Sequence, residues 1–500
     1  MLIAVGALLV LLAAAGAGAL IVGGDEADET DQYVAFSEPP RISSPTSQLY
    51  VTLTAEERKI VAGGQLVMGR AYNGQFIGPT LVMNRGDTLN LNLQNGLNDS
   101  TNMHYHGFHV SPKPPSDQVV NLTIPPGRSY PYRVNIPSSH DQGTFWYHSH
   151  NHHDSEGQVF GGMSGVALIG RPAVPPEVQL AADRVLALKD FQVLSNGEIP
   201  KEGIDSNAET IRTVNGLVNP QIVSTPGAIE LWRLANISAD IFYDVELEGN
   251  PFFVIGEDGN APNKMWPASH LVLPPGKRYD VLVQFGPLGT YALKTREYST
   301  GPGGDTYPEK QLATLTVAGN PVKGQKSLAK QVLGAPGVPN PTLPPKEKVL
   351  TEEEDEKTHV SRFMINGRTF DENRVDDYVP LNAVQDWTFY NKTDEQHPIH
   401  IHQDDFWVVA RNGEPLTPKG QQDTMIVNPG EKLTARIPFY EFSGKFVYHC
   451  HILNHEDHGM MAVVEVLEPG EKKAQPARQA SRSHSGHSHS GHSHLTDHRP

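Results

Sequence analysis

The chain has a single cysteine in 500 residues, Cys450, so an internal disulfide is impossible and the fold must rest on packed cores. Basic residues are outnumbered, 40 Lys and Arg against 57 Asp and Glu, and the resulting net charge of −17 repels polyanions. Nucleic acid is therefore excluded as a partner, whereas a cationic or neutral small substrate is accommodated easily. No Lys or Arg precedes the apolar stretch of residues 1–22, and there is no twin-arginine pair. The stretch nevertheless holds small-residue sites such as Ala15-Gly16-Ala17 and reads as a signal peptide or signal anchor. That reading places the protein outside the cytoplasm, secreted, periplasmic or anchored to a membrane through residues 1–22.

What the chain has in quantity is Gly (46) and Pro (40), scattered among short alternating runs, the pattern of an all-β protein with many turns. Its length suits about three domains. Self-comparison shows three similar series. Each begins with an Asn-Gly turn (Asn73-Gly74, Asn215-Gly216, Asn366-Gly367) and continues with an alternating strand. A Pro-Gly turn follows (Pro126-Gly127, Pro275-Gly276, Pro429-Gly430), and a Gly-led aromatic strand closes the unit (Gly143–Tyr147, Gly289–Tyr291, Gly444–Tyr448). Three copies of one β-sandwich are expected, over 46–172, 173–333 and 351–468. Residues 23–45 read as a flexible leader, 334–350 as a proline-rich linker and 469–500 as a disordered His-rich tail.

Chemistry concentrates after two of the three closing strands. Four clusters stand out, His104-Tyr105-His106, His148-Ser149-His150, His397-Pro398-Ile399-His400-Ile401-His402 and His449-Cys450-His451. On a strand, residues two apart share a face, so each His-X-His pair grips from one side. Eight imidazoles aimed at one place exceed what a single zinc takes and suit a cluster of about three copper ions. His397 has the opposite parity to His400 and His402, as Cys450 has to His449 and His451. With His455 and Met460 these two make a set of two nitrogens, a thiolate and a thioether, which suits a blue copper. A mononuclear site within the third unit and a cluster between the first and third are expected. The middle unit is left as structure or as a substrate wall.

With its four histidine motifs in that order, the chain over about 45–468 resembles the three-domain, laccase-like multicopper oxidases. The resemblance implies tandem cupredoxin-like Greek-key sandwiches and four copper ions. Its type 1 ligands are His397, Cys450, His455 and Met460. Its type 2 ligands are His104 and His400, and its type 3 ligands His106, His148, His150, His402, His449 and His451. It further implies that electrons pass from a reducing substrate through Cys450 to His449 and His451, and that O2 is reduced to water. Glu456 and Asp117 are candidate proton relays.

The electron donor is open. A phenol or aryl-amine oxidase of the laccase kind is the first reading, and a monomer is expected. The second is a metallo-oxidase of Cu(I), Fe(II) or Mn(II). Ten methionines without a Met-rich segment weaken the cuprous version, and Asp394-Glu395 and Asp404-Asp405 beside the histidine motifs sustain the others. A non-catalytic copper-binding protein of the cell envelope is a third reading, opposed by the intact ligand set.

Overall fold

The computed structural model describes residues 34–324, 328, 332–354 and 361–471. The expected signal segment and tail lie outside the described residues. Within them the architecture is all-β, three tandem Greek-key sandwiches each built from two facing sheets. Helix is confined to two short segments among the described residues, Ser155–Gly161 and Leu453–Asp457. No helix of the described residues is long and apolar enough to cross a membrane.

The repeat seen in the sequence has a structural counterpart in every unit. One sheet of each sandwich contains a parallel pair: Gln48–Ala62 with Thr88–Asn95, Leu180–Phe191 with Ile229–Asn236, and Lys346–Glu354 with Ala383–Asn391. Alternation explains the first of these. Leu89, Leu91 and Leu93 are buried while Asn90 and Asn92 between them are half-buried, so one face feeds the core. Each leucine removed from water in this way contributes roughly 1.5–3 kcal/mol. The Asn-Gly turns have both residues at positive φ, 52° and 69° at Asn73-Gly74, which Asn-Gly is among the few residue pairs to adopt at little cost. In each unit the turn asparagine also accepts a main-chain hydrogen bond, from Thr54, Ala187 and Val349 respectively, all at 2.8 Å.

Two boundaries differ from expectation. Residues 34–45 are part of the sandwich assembly instead of a flexible leader. Arg41–Ser43 adds a parallel strand to Gly78–Met83, and Phe36 donates to the carbonyl of Gln221 in the middle unit. Backbone pairing at a sheet edge needs no apolar side chains, so the polar, proline-rich composition concealed it. The strand Lys346–Glu354 likewise begins inside the stretch read as linker. The cores are continuous between units. One cluster joins Trp232 of the second sandwich to Trp387 of the third, and another joins Trp146 of the first to Ala235 and Ile237 of the second.

Candidate metal centre

The strands that carry the histidines meet where the first and third sandwiches face each other. His104 lies directly across from His148 on neighbouring strands, and His400 lies across from His449 in the other unit. The eight imidazoles of the four His-X-His pairs are all buried, at 1% exposure or less, and their rings crowd together, His104 stacking on His402 and His106 on His400 at 3.7 Å between centroids. Their hydrogen bonds fix which nitrogen is free. His148 Nδ1 donates to the Ser149 carbonyl (2.8 Å), His400 Nδ1 to the Asp423 carbonyl (2.9 Å) and His449 Nδ1 to the Cys450 carbonyl (2.9 Å), since a carbonyl can only accept. The opposite nitrogens then present lone pairs inward. His104, His148 and His400 each leave a buried Nε2 without a protein partner among the described residues. His402 Nε2 and His449 Nε2 stand 3.2 Å apart, as do His106 Nδ1 and His451 Nε2 at 3.1 Å. Unpaired buried acceptors cost about 1–3 kcal/mol each, and converging lone pairs repel, so this ring fits a group of cations. The donor atoms fall into triads, His106 with His148 and His451, and His150 with His402 and His449, while His104 and His400 complete a third with His106.

A second set lies behind the same strand. Cys450 Sγ is 3.6 Å from His397 Nδ1 and 3.6 Å from His455 Nδ1, and the two nitrogens are 3.3 Å apart. A point equidistant from three atoms so spaced lies about 2 Å from each, the length of a metal–imidazole bond. Met460 is fully buried and tied to this triangle by its main chain, which donates to the His455 carbonyl and accepts from Cys450 N–H. Burial pushes the Cys450 thiol up, so it stays protonated unless a metal takes the thiolate. Burial likewise lowers His397 and His455 to about 3, keeping both imidazoles neutral, the form that ligates.

One buried cysteine with two imidazoles stands back to back with eight further imidazoles at the seam of two sandwiches, and three multicopper oxidase family models match the chain that builds it. They match residues 54–173, 183–320 and 339–470. The chain belongs to the multicopper oxidase family. It is similar to a multicopper oxidase of Staphylococcus haemolyticus, 28% identical with 79% of this chain and 83% of the relative covered. A laccase of Bacillus subtilis is 25% identical, with 80% and 90% covered. Among solved structures, a multicopper oxidase of Campylobacter jejuni described as a metallo-oxidase superposes with a TM-score of 0.77 at 27% identity, covering 88% of this chain and 96% of that one. This multicopper oxidase is accordingly a copper-dependent oxidoreductase that uses O2.

Three carboxylates touch the histidine ring. Asp117 accepts from His104 Nδ1 (3.0 Å), Tyr105 N–H (3.1 Å) and Gln403 Nε2 (2.8 Å), and burial pushes it up to about 7 against those hydrogen bonds. Glu456 meets His449 Nδ1 at 3.0 Å and accepts from the Ser155 hydroxyl at 2.9 Å. Burial pushes Glu456 up, but the His150 and His449 imidazoles outweigh it and hold it below the usual carboxylate range. The third, Asp423, is paired with Arg278 of the middle unit at 2.8 Å and was not singled out from the sequence, where nothing distinguishes it from other acidic residues.

The mononuclear triangle opens to solvent through a cleft of about 120 Å³ lined by Asp205, Ser206, Thr300, Asp305, Glu395 and His455 among others. Glu395 Oε1 accepts from His455 Nε2 at 3.1 Å. Asp305 is held by the hydroxyls of Ser206 and Tyr307. The middle unit therefore forms the wall of this cleft. Of the two acidic pairs noted in the sequence, the first brings Glu395 to the cleft. The second does not: Asp405 is buried against His109 Nε2 (2.8 Å) and Asn260 Nδ2 (2.6 Å), because the loop after His402 turns away with Gln403 at φ 66°.

Proposed function

We propose that this enzyme couples one-electron oxidation of a donor at His455 to the four-electron reduction of O2 to water, using four copper ions. The mononuclear ligands are His397, Cys450, His455 and Met460. The cluster ligands are His104 and His400 for one ion, with His106, His148 and His451, and His150, His402 and His449, for a pair. Copper so bound supplies the one-electron acceptor and the place where O2 is reduced. The chain supplies the path between the two sites: Cys450 is bonded through the main chain to His449 on one side and His451 on the other. Asp117 and Glu456 reach the cluster imidazoles from different directions and handle protons, whereas Asp423 is neutralised by Arg278. Replacing Asp117 by Asn or Glu456 by Gln should lower kcat by about 10²-fold with blue absorption unchanged, since proton transfer by a positioned group contributes ~10²–10⁴-fold. Steady-state O2 consumption beside the visible spectrum checks this; unchanged kcat in both variants removes the role.

The donor that the cleft favours is a metal cation. The observation carrying this reading is Glu395, seated on His455 and grouped with Asp305 and Asp205 in a space far below the ~300–1,000 Å³ of pockets that engulf organic ligands. Carboxylates suit Fe(II) or Mn(II) better than soft Cu(I). The likeness to a metallo-oxidase supports the same reading, and that to a laccase supports the phenol or aryl-amine oxidase first read from the sequence. Kinetics with Fe(II), Mn(II), Cu(I) and a substituted phenol side by side decide. We expect Glu395→Gln with Asp305→Asn to lower kcat/KM for the metal ion at least tenfold, about 1.4 kcal/mol, and to leave the phenol unaffected. A wild-type enzyme that oxidises the phenol far better than any metal ion returns the assignment to the laccase class.

A further inference from the structure

The middle unit carries a single histidine, His270, which is paired with Asp244 at the surface, yet this unit closes one side of the cluster. Its Pro-Gly turn marks the place. In the first and third units the turn glycines, Gly127 and Gly430, face open space, with nothing within 4 Å of where a Cβ would be. At Gly276 a Cβ would stand 2.9 Å from His106 Cε1 and 3.1 Å from His451 Cδ2. The same repeated turn has therefore been brought against two cluster imidazoles in one unit only. Two residues on, Arg278 is fully buried. Its Nε donates to the Thr144 carbonyl of the first unit (3.1 Å) and its Nη1 to the Gly276 carbonyl (3.0 Å). Nη1 and Nη2 also reach the two carboxylate oxygens of Asp423 in the third unit at 2.9 and 2.8 Å.

Asp423 uses both of its acceptors on the cluster. Its carboxylate faces His106 Nε2 at 3.3 Å, and its main-chain carbonyl accepts from His400 Nδ1 at 2.9 Å. Asp258 completes the mounting by accepting from the N–H groups of Arg278 and Asp423. The Arg278 guanidinium meets both oxygens of the Asp423 carboxylate, the two-point pairing of a carboxylate that accepts, and a main-chain carbonyl can only accept. With an obligate acceptor on each, His106 is protonated at Nε2 and His400 at Nδ1. Were His106 protonated at Nδ1 instead, its N–H would point at His451 Nε2, 3.1 Å away, and no lone pair of His106 would join those of His148 and His451.

We propose that Arg278 is a positioning residue for the copper cluster: from a unit without copper ligands it holds Asp423 so that this one residue fixes the tautomers and ring planes of His106 and His400. The proposal rests on the copper assignment above. It differs from a purely structural ion pair in what must be preserved. A structural pair needs only that no charge be left buried alone; tautomer control needs an acceptor oxygen facing His106.

Two double variants separate these. Arg278→Met with Asp423→Leu removes both charges and the acceptor, and Arg278→Met with Asp423→Asn removes the same charges but keeps an oxygen. Each is loaded with copper and titrated with a copper chelator, counting copper per chain while the blue absorption monitors the mononuclear site. In the leucine variant we expect undiminished blue absorption and cluster copper lost at ~10–100-fold lower chelator concentration than wild type, the usual penalty for removing a partner of a metal-bound histidine. The asparagine variant should recover most of that loss. Wild-type retention in both, or equal loss in both, overturns the proposal, and so does failure of both to fold, which would make the pair a folding element. A wild-type enzyme with no copper beyond the blue site would overturn the copper assignment itself, and this proposal with it.

Discussion

Replacing Cys450 by serine should remove the blue absorption entirely and with it all oxidase activity. The thiolate is the only sulfur anion the chain can offer, and it stands 3.6 Å from each of two imidazole nitrogens in a triangle buried except for an edge of His455. A hydroxyl in its place keeps the size but is neither as polarisable nor deprotonated at neutral pH, so the charge transfer that colours a copper–thiolate pair is lost. The main-chain link from position 450 to His449 and His451 survives the change, but nothing remains at its head to receive an electron. The cluster should still load, because its eight imidazoles reach it from other residues, so copper per chain falls by about one, as expected for a mononuclear site. Visible spectroscopy, copper counting and O2 uptake check the three parts separately. Retained blue colour would sink the assignment of Cys450.

Replacing His104 by alanine should do the reverse, leaving the blue absorption and abolishing O2 reduction. In the ligand set proposed above His104 is one of two imidazoles for one ion, and its ring is stacked on His402 at 3.7 Å and hydrogen-bonded through Nδ1 to Asp117. Removing it takes away an inward-facing nitrogen and strips Asp117 of its partner, in a site where no exposed side chain can substitute. The triangle of His397, Cys450 and His455 belongs to another sandwich and makes no contact with His104 through any of those hydrogen bonds. Substrate should therefore still bleach the blue colour, while reoxidation by air stalls. Normal turnover in this variant would place the cluster elsewhere.

The contrast between these variants was legible in the sequence because strand parity is local. The alternation that sends Cys450 one way and His449 and His451 the other needs no knowledge of distant residues, and the three repeats were visible from turns whose residues are dictated by positive φ. What escaped was everything set by packing between units. Asp423 and Arg278 lie 145 positions apart, and neither looks unusual in its own segment. Glu395 could be suspected from its place two residues before His397, but so could Asp404 and Asp405, and only the course of the loop after His402 tells them apart. Residues 34–45 resemble a flexible leader because main-chain pairing at a sheet edge leaves no mark in side-chain composition.

The burial of Cys450 also bears on how this protein can be attached to things. Its thiol is sealed in the interior and pushed up by desolvation, hence inert to alkylating reagents in the folded state. Any cysteine added to the surface would be the sole reactive thiol on the molecule. A single engineered anchor beside the carboxylate-lined cleft would therefore fix the enzyme on an electrode in one defined orientation, with the face proposed to accept electrons toward the conductor and no native thiol to compete.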